Sequence, residues 1–303
     1  MSNATSTHAP APAPAPRAPA APKFPKPPAS AAAAKPGLRR TGRRIMVYGE
    51  GGTGKTTMAL RSTLVGETAF IDLEGTLFSL LGDEVPETLT PYYPESWEQI
   101  LAVLDGLIAC ATAKQGARSV VIDSLTAAET MLDEYVLAHF TPNKGGFGKV
   151  DFHPEGNPQP LASLNELGGG GDSAAKYPAF NVLLARLDSL ARLGVNVIVV
   201  CHEAPTDVAD LVNGGQVFRR AEPRLMTTAN GKNSLRLRAV EWCDDVLHIY
   251  AERVADKDSK AEHRTGDVLV AFAPDNGYVA KSRTLSGEPQ SRDEFRMENL
   301  LTK

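Results

Sequence analysis

Residues 45–57 read Ile-Met-Val-Tyr-Gly-Glu-Gly-Gly-Thr-Gly-Lys-Thr-Thr. A short apolar run leads into Gly-x-x-x-x-Gly-Lys-Thr, and a segment of helical character follows over roughly 54–65. That order predicts a strand, a tight loop and a helix, and so an α/β fold. Gly49, Gly51, Gly52 and Gly54 let the backbone curl until its N–H groups converge on an anion. Lys55 can then reach β- and γ-phosphate oxygens, and the Thr56 hydroxyl can join a magnesium ion. The helix behind the loop turns its positive end to the same anion. The expected nucleotide contacts are Gly49, Glu50, Gly51, Gly52, Thr53, Gly54, Lys55, Thr56 and Thr57, with ATP and Mg²⁺ as the bound species.

The 303 residues divide unevenly. Residues 9–36 are almost all Ala, Pro and Lys, which remove backbone donors and offer little to bury. Residues 1–40 are therefore expected to be a disordered tail, 41–290 an α/β domain and 291–303 a C-terminal tail. Net charge is −4, yet no acid precedes Glu50, while eight Lys and Arg residues do (Arg17, Lys23, Lys26, Lys35, Arg39, Arg40, Arg43, Arg44). Such a tail suits contact with nucleic acid, or a solubilising linker; its proline density argues against a transit peptide. Cys110, Cys201 and Cys243 lie far apart in apolar contexts, with neither metal nor disulfide spacing. No apolar run reaches the ~18 residues of a membrane span. A cytoplasmic protein, bacterial or in a phage-infected host, is expected, with no membrane partner.

Strand-like and helix-like runs alternate. Strands are predicted over 45–48, 68–73, 119–123 and 196–201, and helices over 96–112, from about Thr126 toward His139, and over 178–193. Ser96 with Gln99, and Thr126 with Glu129, have capping-box spacing. Residues 141–176 and the stretch from 203 to about 232 read as long irregular regions. The end of the chain reads as antiparallel: strands over 245–252 and 267–272, a Pro274-Asp275-Asn276-Gly277 turn and a returning strand over 278–283. The architecture expected is a mainly parallel central sheet with a C-terminal antiparallel β-hairpin edge.

Hydrolysis of a triphosphate needs a second metal anchor and a group that orients water. Asp123 ends the apolar strand Val120-Val121-Ile122, at the edge where parallel sheets bind ligands, so Thr56 and Asp123 form the expected metal pair. Glu74 and Asp72 both lie at the end of the second strand, and either can polarise water; by alternation one of them faces away. His202 follows the strand 196–201, where it can feel a γ-phosphate. From Val217 to Arg238, the cations Arg219, Arg220, Arg224, Lys232, Arg236 and Arg238 face one acid, Glu222, a composition that suits a nucleic-acid backbone. Lys281 and Arg283 protrude as Lys-Ser-Arg and could reach a neighbouring subunit's phosphates.

These pieces, in this order, resemble the RecA-like P-loop ATPase core. The likeness is nearest to the short phage-type RecA-core ATPases of DNA recombination and single-strand annealing, and it covers about residues 40–290. Phe70-Ile71-Asp72-Leu73-Glu74 is similar to the segment whose glutamate activates water, which favours Glu74. Val121-Ile122-Asp123-Ser124 looks like a Walker B segment, and Val199-Val200-Cys201-His202-Glu203 resembles the γ-phosphate-sensing strand, with His202 where RecA has glutamine. Lys281-Ser282-Arg283 resembles the Lys-x-Arg that acts across subunit interfaces in RecA-fold motors and RadA-type proteins. The resemblance implies catalytic roles for Lys55, Glu74, His202, Lys281 and Arg283 in a DNA-stimulated, Mg-dependent ATPase. It also implies single-stranded DNA, a homo-oligomeric ring or filament, and a single-strand DNA-binding protein as partners. A KaiC-type ATP-switched regulator and a helicase-type motor are the competing readings.

Overall fold

In the computed structural model, the residues described are 41–82, 84–145, 148–210, 215–229, 231–255 and 262–301; the Ala/Pro-rich segment 1–40 lies outside them. The elements are β1 (Arg44–Gly49), α1 (Lys55–Leu60), β2 (Thr68–Asp72), α2 (Thr76–Leu81), β3 (Leu89–Tyr92), α3 (Trp97–Thr112), β4 (Ser119–Asp123) and α4 (Leu125–His139). They continue with β5 (Phe140–Pro142), β6 (Val150–Phe152), α5 (Gly171–Arg192), β7 (Asn196–Asp210), β8 (Gln216–Pro223), α6 (Leu235–Trp242), β9 (Asp245–Ala255), β10 (Glu262–Ala271) and β11 (Gln290–Ser291).

Every residue of β2 and β4 is buried, as both are covered on two faces by helices and loops. Among the described residues the sheet has nine strands, in the order β11-β10-β9-β1-β7-β4-β2-β3, with β8 paired to β7. From β9 to β3 neighbouring strands are parallel; β10, β11 and β8 join antiparallel. The fold is thus α/β, mostly parallel, with antiparallel strands toward the C-terminus. The register aligns Gly49 with His202 and Asp72 with Asp123, so β1, β7, β4 and β2 deliver their last residues to one edge. β7 lies between the strand that feeds the glycine loop and the strand that ends in Asp123.

One core face gathers Trp97, Ile100 and Leu104 of α3, Leu132 and Val136 of α4, and Leu183 and Leu187 of α5. At helical spacing, each such side chain contributes about 1.5–3 kcal/mol of burial. The opposite face packs Met58 and Ala59 of α1 with Phe272, Phe295, Met297 and Leu301. Residues 291–301 therefore pack into the folded unit rather than forming a tail. Their apolar side chains sit in an otherwise polar stretch, too sparse to show a period. No helix among the described residues is long and apolar enough to cross a membrane.

Several local expectations are corrected. The region after Cys201 is not irregular: β7 runs on to Asp210 and pairs with β8, from Glu203↔Pro223 to Asp210↔Gln216. Pro205 and the scattered charges hide that hairpin in the sequence. α4 is capped by Ser124, whose hydroxyl accepts from Ala127 N at 3.1 Å, rather than by Thr126. α5 begins at Gly171 and carries Pro178 inside it; the burial of Phe180, Leu183 and Leu184 offsets the missing backbone bond. Residues 278–283 do not form a strand and make only isolated bridges, among them Val246↔Lys281. The C-terminal hairpin is β9 with β10, and β9 also pairs parallel with β1. The capping at Ser96 is as expected, since its hydroxyl accepts from Gln99 N at 3.3 Å.

Candidate active site

The glycine loop leaves β1 at Gly49, where a Cβ would sit 2.0 Å from the Ile249 carbonyl oxygen of β9. Any side chain there would force β1 and β9 apart. Gly54 has φ +89°, a left-handed conformation that favours glycine, and it opens α1. Inside the loop, Glu50 O accepts from Thr53 Oγ1 at 2.9 Å and from Lys55 Nζ at 2.7 Å. Lys55 is buried; burial lowers its pKa, while Asp123 and Glu74 oppose that shift. The helix behind the loop is short, Lys55–Leu60, and passes into a 3-10 turn over Arg61–Leu64.

Thr56 Oγ1 donates to Asp123 Oδ2 at 2.5 Å. Asp123 is 2 % exposed, and burial pushes its pKa up to about 6, with the Glu74 and Asp72 charges adding to the rise. A buried carboxylate whose charge is this costly is suited to a cation. Two hard oxygens fit magnesium, which is held by one or two protein oxygens plus phosphate and water. The described residues include no cluster of three His, Cys, Asp or Glu that could hold a metal alone.

The two acids of β2 part company. Asp72 turns back on its own chain and accepts from the backbone N–H groups of Thr76 (3.1 Å) and Leu77 (3.0 Å), capping α2. Glu74 crosses to the neighbouring strands. Its Oε1 accepts from the Ser124 hydroxyl and lies 2.8 Å from His202 Nε2. A carboxylate oxygen only accepts, so Nε2 carries the proton in this arrangement. His202 is tied in by its backbone as well: its N–H donates to Thr126 Oγ1 (3.1 Å) and its carbonyl accepts from Arg224 N (2.8 Å). Lys55, Thr56, Asp123, Glu74 and His202 thus share one edge of the sheet. Ser124 was missed as a site residue, though it directly follows Asp123 in the sequence.

Lys281 and Arg283 are not brought to this edge in their own chain. Lys281 pairs with Val246 near the start of β9, at the level of Met46 in β1. Three residues of β1, about 10 Å of strand, separate that level from Gly49. Arg283 Nε lies 3.1 Å from Asp244, and Lys281 Nζ 3.4 Å from Glu241 O.

The basic residues are spread over two elements and largely engaged. Arg219 faces Asp207 at 3.5 Å across the β7–β8 hairpin. Buried Glu222 takes both Arg220 and Arg236, the latter at 2.6 Å. Arg238, on α6, donates to Asn181 Oδ1 at 3.0 Å. Arg224 and Lys232 are exposed.

Residues 41–153 match the family model of the AAA domain. The match takes in the glycine loop, Glu74 and Asp123, and stops before His202, the β7–β8 hairpin and Arg283. No curated protein matches the chain. In its mostly parallel α/β fold and its glycine loop with the Thr56–Asp123 pair, the segment 41–153 is thus similar to an AAA-type P-loop domain.

Proposed function

We propose that this protein is a magnesium-dependent ATPase that uses hydrolysis to reposition the β7–β8 hairpin on single-stranded DNA, in phage-type recombination or strand annealing. One observation carries the catalytic part: a Glu74 carboxylate joined to both Ser124 and His202, beside the Thr56–Asp123 pair. Magnesium, held by Thr56 and Asp123, would neutralise developing phosphate charge. The Glu74 carboxylate takes a proton from water as the water oxygen bonds to the γ-phosphorus. The bond from that phosphorus to the bridging oxygen breaks, leaving ADP and phosphate. Lys55, freed from Glu50 O, follows the phosphate charge. His202 is the relay: it touches Glu74 through its ring, and the hairpin pairing begins at the next residue, Glu203.

The nucleic-acid part is supported by Arg219 and Arg224, exposed on and just after the hairpin, and by a groove of about 840 Å³ that brings Arg219, Arg220 and Arg253 beside Tyr250. Cations next to an aromatic ring suit a stacked single strand. ATP turnover should rise on addition of single-stranded DNA. Replacing Arg219, Arg220 and Arg224 together with alanine should lower the log–log salt slope of DNA binding by about 2, at about 0.7 per lost phosphate contact. An unchanged slope would favour a KaiC-type ATP-switched regulator, a reading supported by the pairing of Arg219, Arg220 and Arg236 with acids of the same chain.

The proposed assembly is a ring or filament in which Arg283 leaves Asp244 to meet a neighbour's triphosphate. Mixing Arg283→Ala with Lys55→Ala protein should then restore part of the hydrolysis that each lacks alone. Absence of any rescue across mixing ratios would assign Arg283 to its own chain's Asp244.

A further inference from the structure

A second cavity, of about 300 Å³, opens beside the glycine loop, lined by Gly54, Thr57, Met58, Arg61, Arg292 and Asp293. The Glu74–His202–Ser124 cluster comes from the loop after β2, from β7 and from the residue after β4; this cavity lies instead between α1 and the C-terminal segment. A triphosphate whose γ end meets Glu74 must send its sugar and base out of the loop elsewhere, and the cavity adjoins Gly54 and Thr57.

The wall contributed by the C-terminal segment is firmly built. Arg292 N donates to Val268 O of β10 at 2.8 Å, Phe295 and Met297 are buried, and Glu298 grips Arg61 with two bonds of 2.7 and 2.8 Å. Arg292 is held edge-on. Its Nε and Nη2 donate to Asp293 Oδ1 at 3.2 and 3.0 Å, and Nη1 reaches Thr53 O at 3.4 Å. It rests on Gly54, where a Cβ would come within 3.0 Å of Nη1. These bonds take three of its five N–H groups and fix the plane of the guanidinium beside the cavity. A guanidinium face takes a planar π-system, and 300 Å³ suits one heterocycle with its sugar.

We infer that this cavity is the base subsite of the nucleotide and that Arg292 stacks on the purine ring, oriented by Asp293. The inference rests on the ATPase reading above. Two probes separate them: Mg·ATP, which has a base, and Mg·tripolyphosphate, which has none. By titration calorimetry, Arg292→Ala should weaken Mg·ATP binding about tenfold and leave tripolyphosphate binding unchanged. Arg292→Lys keeps the charge but not the plane and should show the same loss. In steady state both variants should raise KM with kcat within about twofold, the pattern of lost uniform binding. Equal weakening of both probes would show that Arg292 serves the loop through Thr53 and would overturn the subsite, as would full affinity for ATP or full rescue by lysine. If the wild-type protein bound neither probe, the phosphate-loop reading itself would fall.

Discussion

Lys55→Ala protein should fold normally and turn over ATP at least ~10²–10³-fold more slowly, the usual cost of removing one preorganised donor from a developing anion. The expectation follows from the burial of Lys55 and its neighbours. Its ammonium feels the charges of Asp123 and Glu74, yet burial disfavours its charge. A triphosphate entering the loop supplies the compensating negative charge. Removing the ammonium should also raise the KM for ATP, because the same contact exists in the ground state. Steady-state phosphate release, measured with and without single-stranded DNA, checks this. Turnover within threefold of wild type would remove the active site from this loop.

Glu74→Gln should separate binding from chemistry. The amide preserves shape and can still accept from Ser124 and His202, but it cannot take a proton from water. Mg·ATP affinity should stay within about threefold of wild type while single-turnover hydrolysis falls by ~10²–10⁴, the range for a positioned general base. Asp72→Ala provides the contrast. Asp72 caps α2, so its loss should cost about 1 kcal/mol of stability and little turnover. If the two variants exchanged these phenotypes, the assignment of the water-orienting acid would be reversed.

The glycine loop and the Asp123 strand were legible in the sequence because their signals are local: a fixed spacing, and an apolar run ending in an acid. The parallel core followed from β2, β4 and the first half of β7, whose buried strands read as unbroken apolar stretches. The choice between Glu74 and Asp72 is different in kind. Both lie at the end of one strand, and only the fold shows Asp72 spent on backbone N–H groups four and five residues further on. The β7–β8 hairpin escaped for the opposite reason: its strands are polar and solvent-facing, so no apolar period marks them, and Pro205 counts against a strand in any local reading. The basic stretch was legible as composition but not as field. Glu222 is one acid in the sequence, yet in the fold it answers two arginines.

Glu50, in the middle of the glycine loop, is clasped at 2.7 Å by Arg253 of β9 and at 2.7 Å by Arg264 of β10. Both clasps are largely solvated, so each is worth at most about 1 kcal/mol: firm enough to hold the loop's posture, weak enough to let go. Whatever docks along that outer ribbon of the sheet therefore has a handle on the nucleotide's seat without ever touching it.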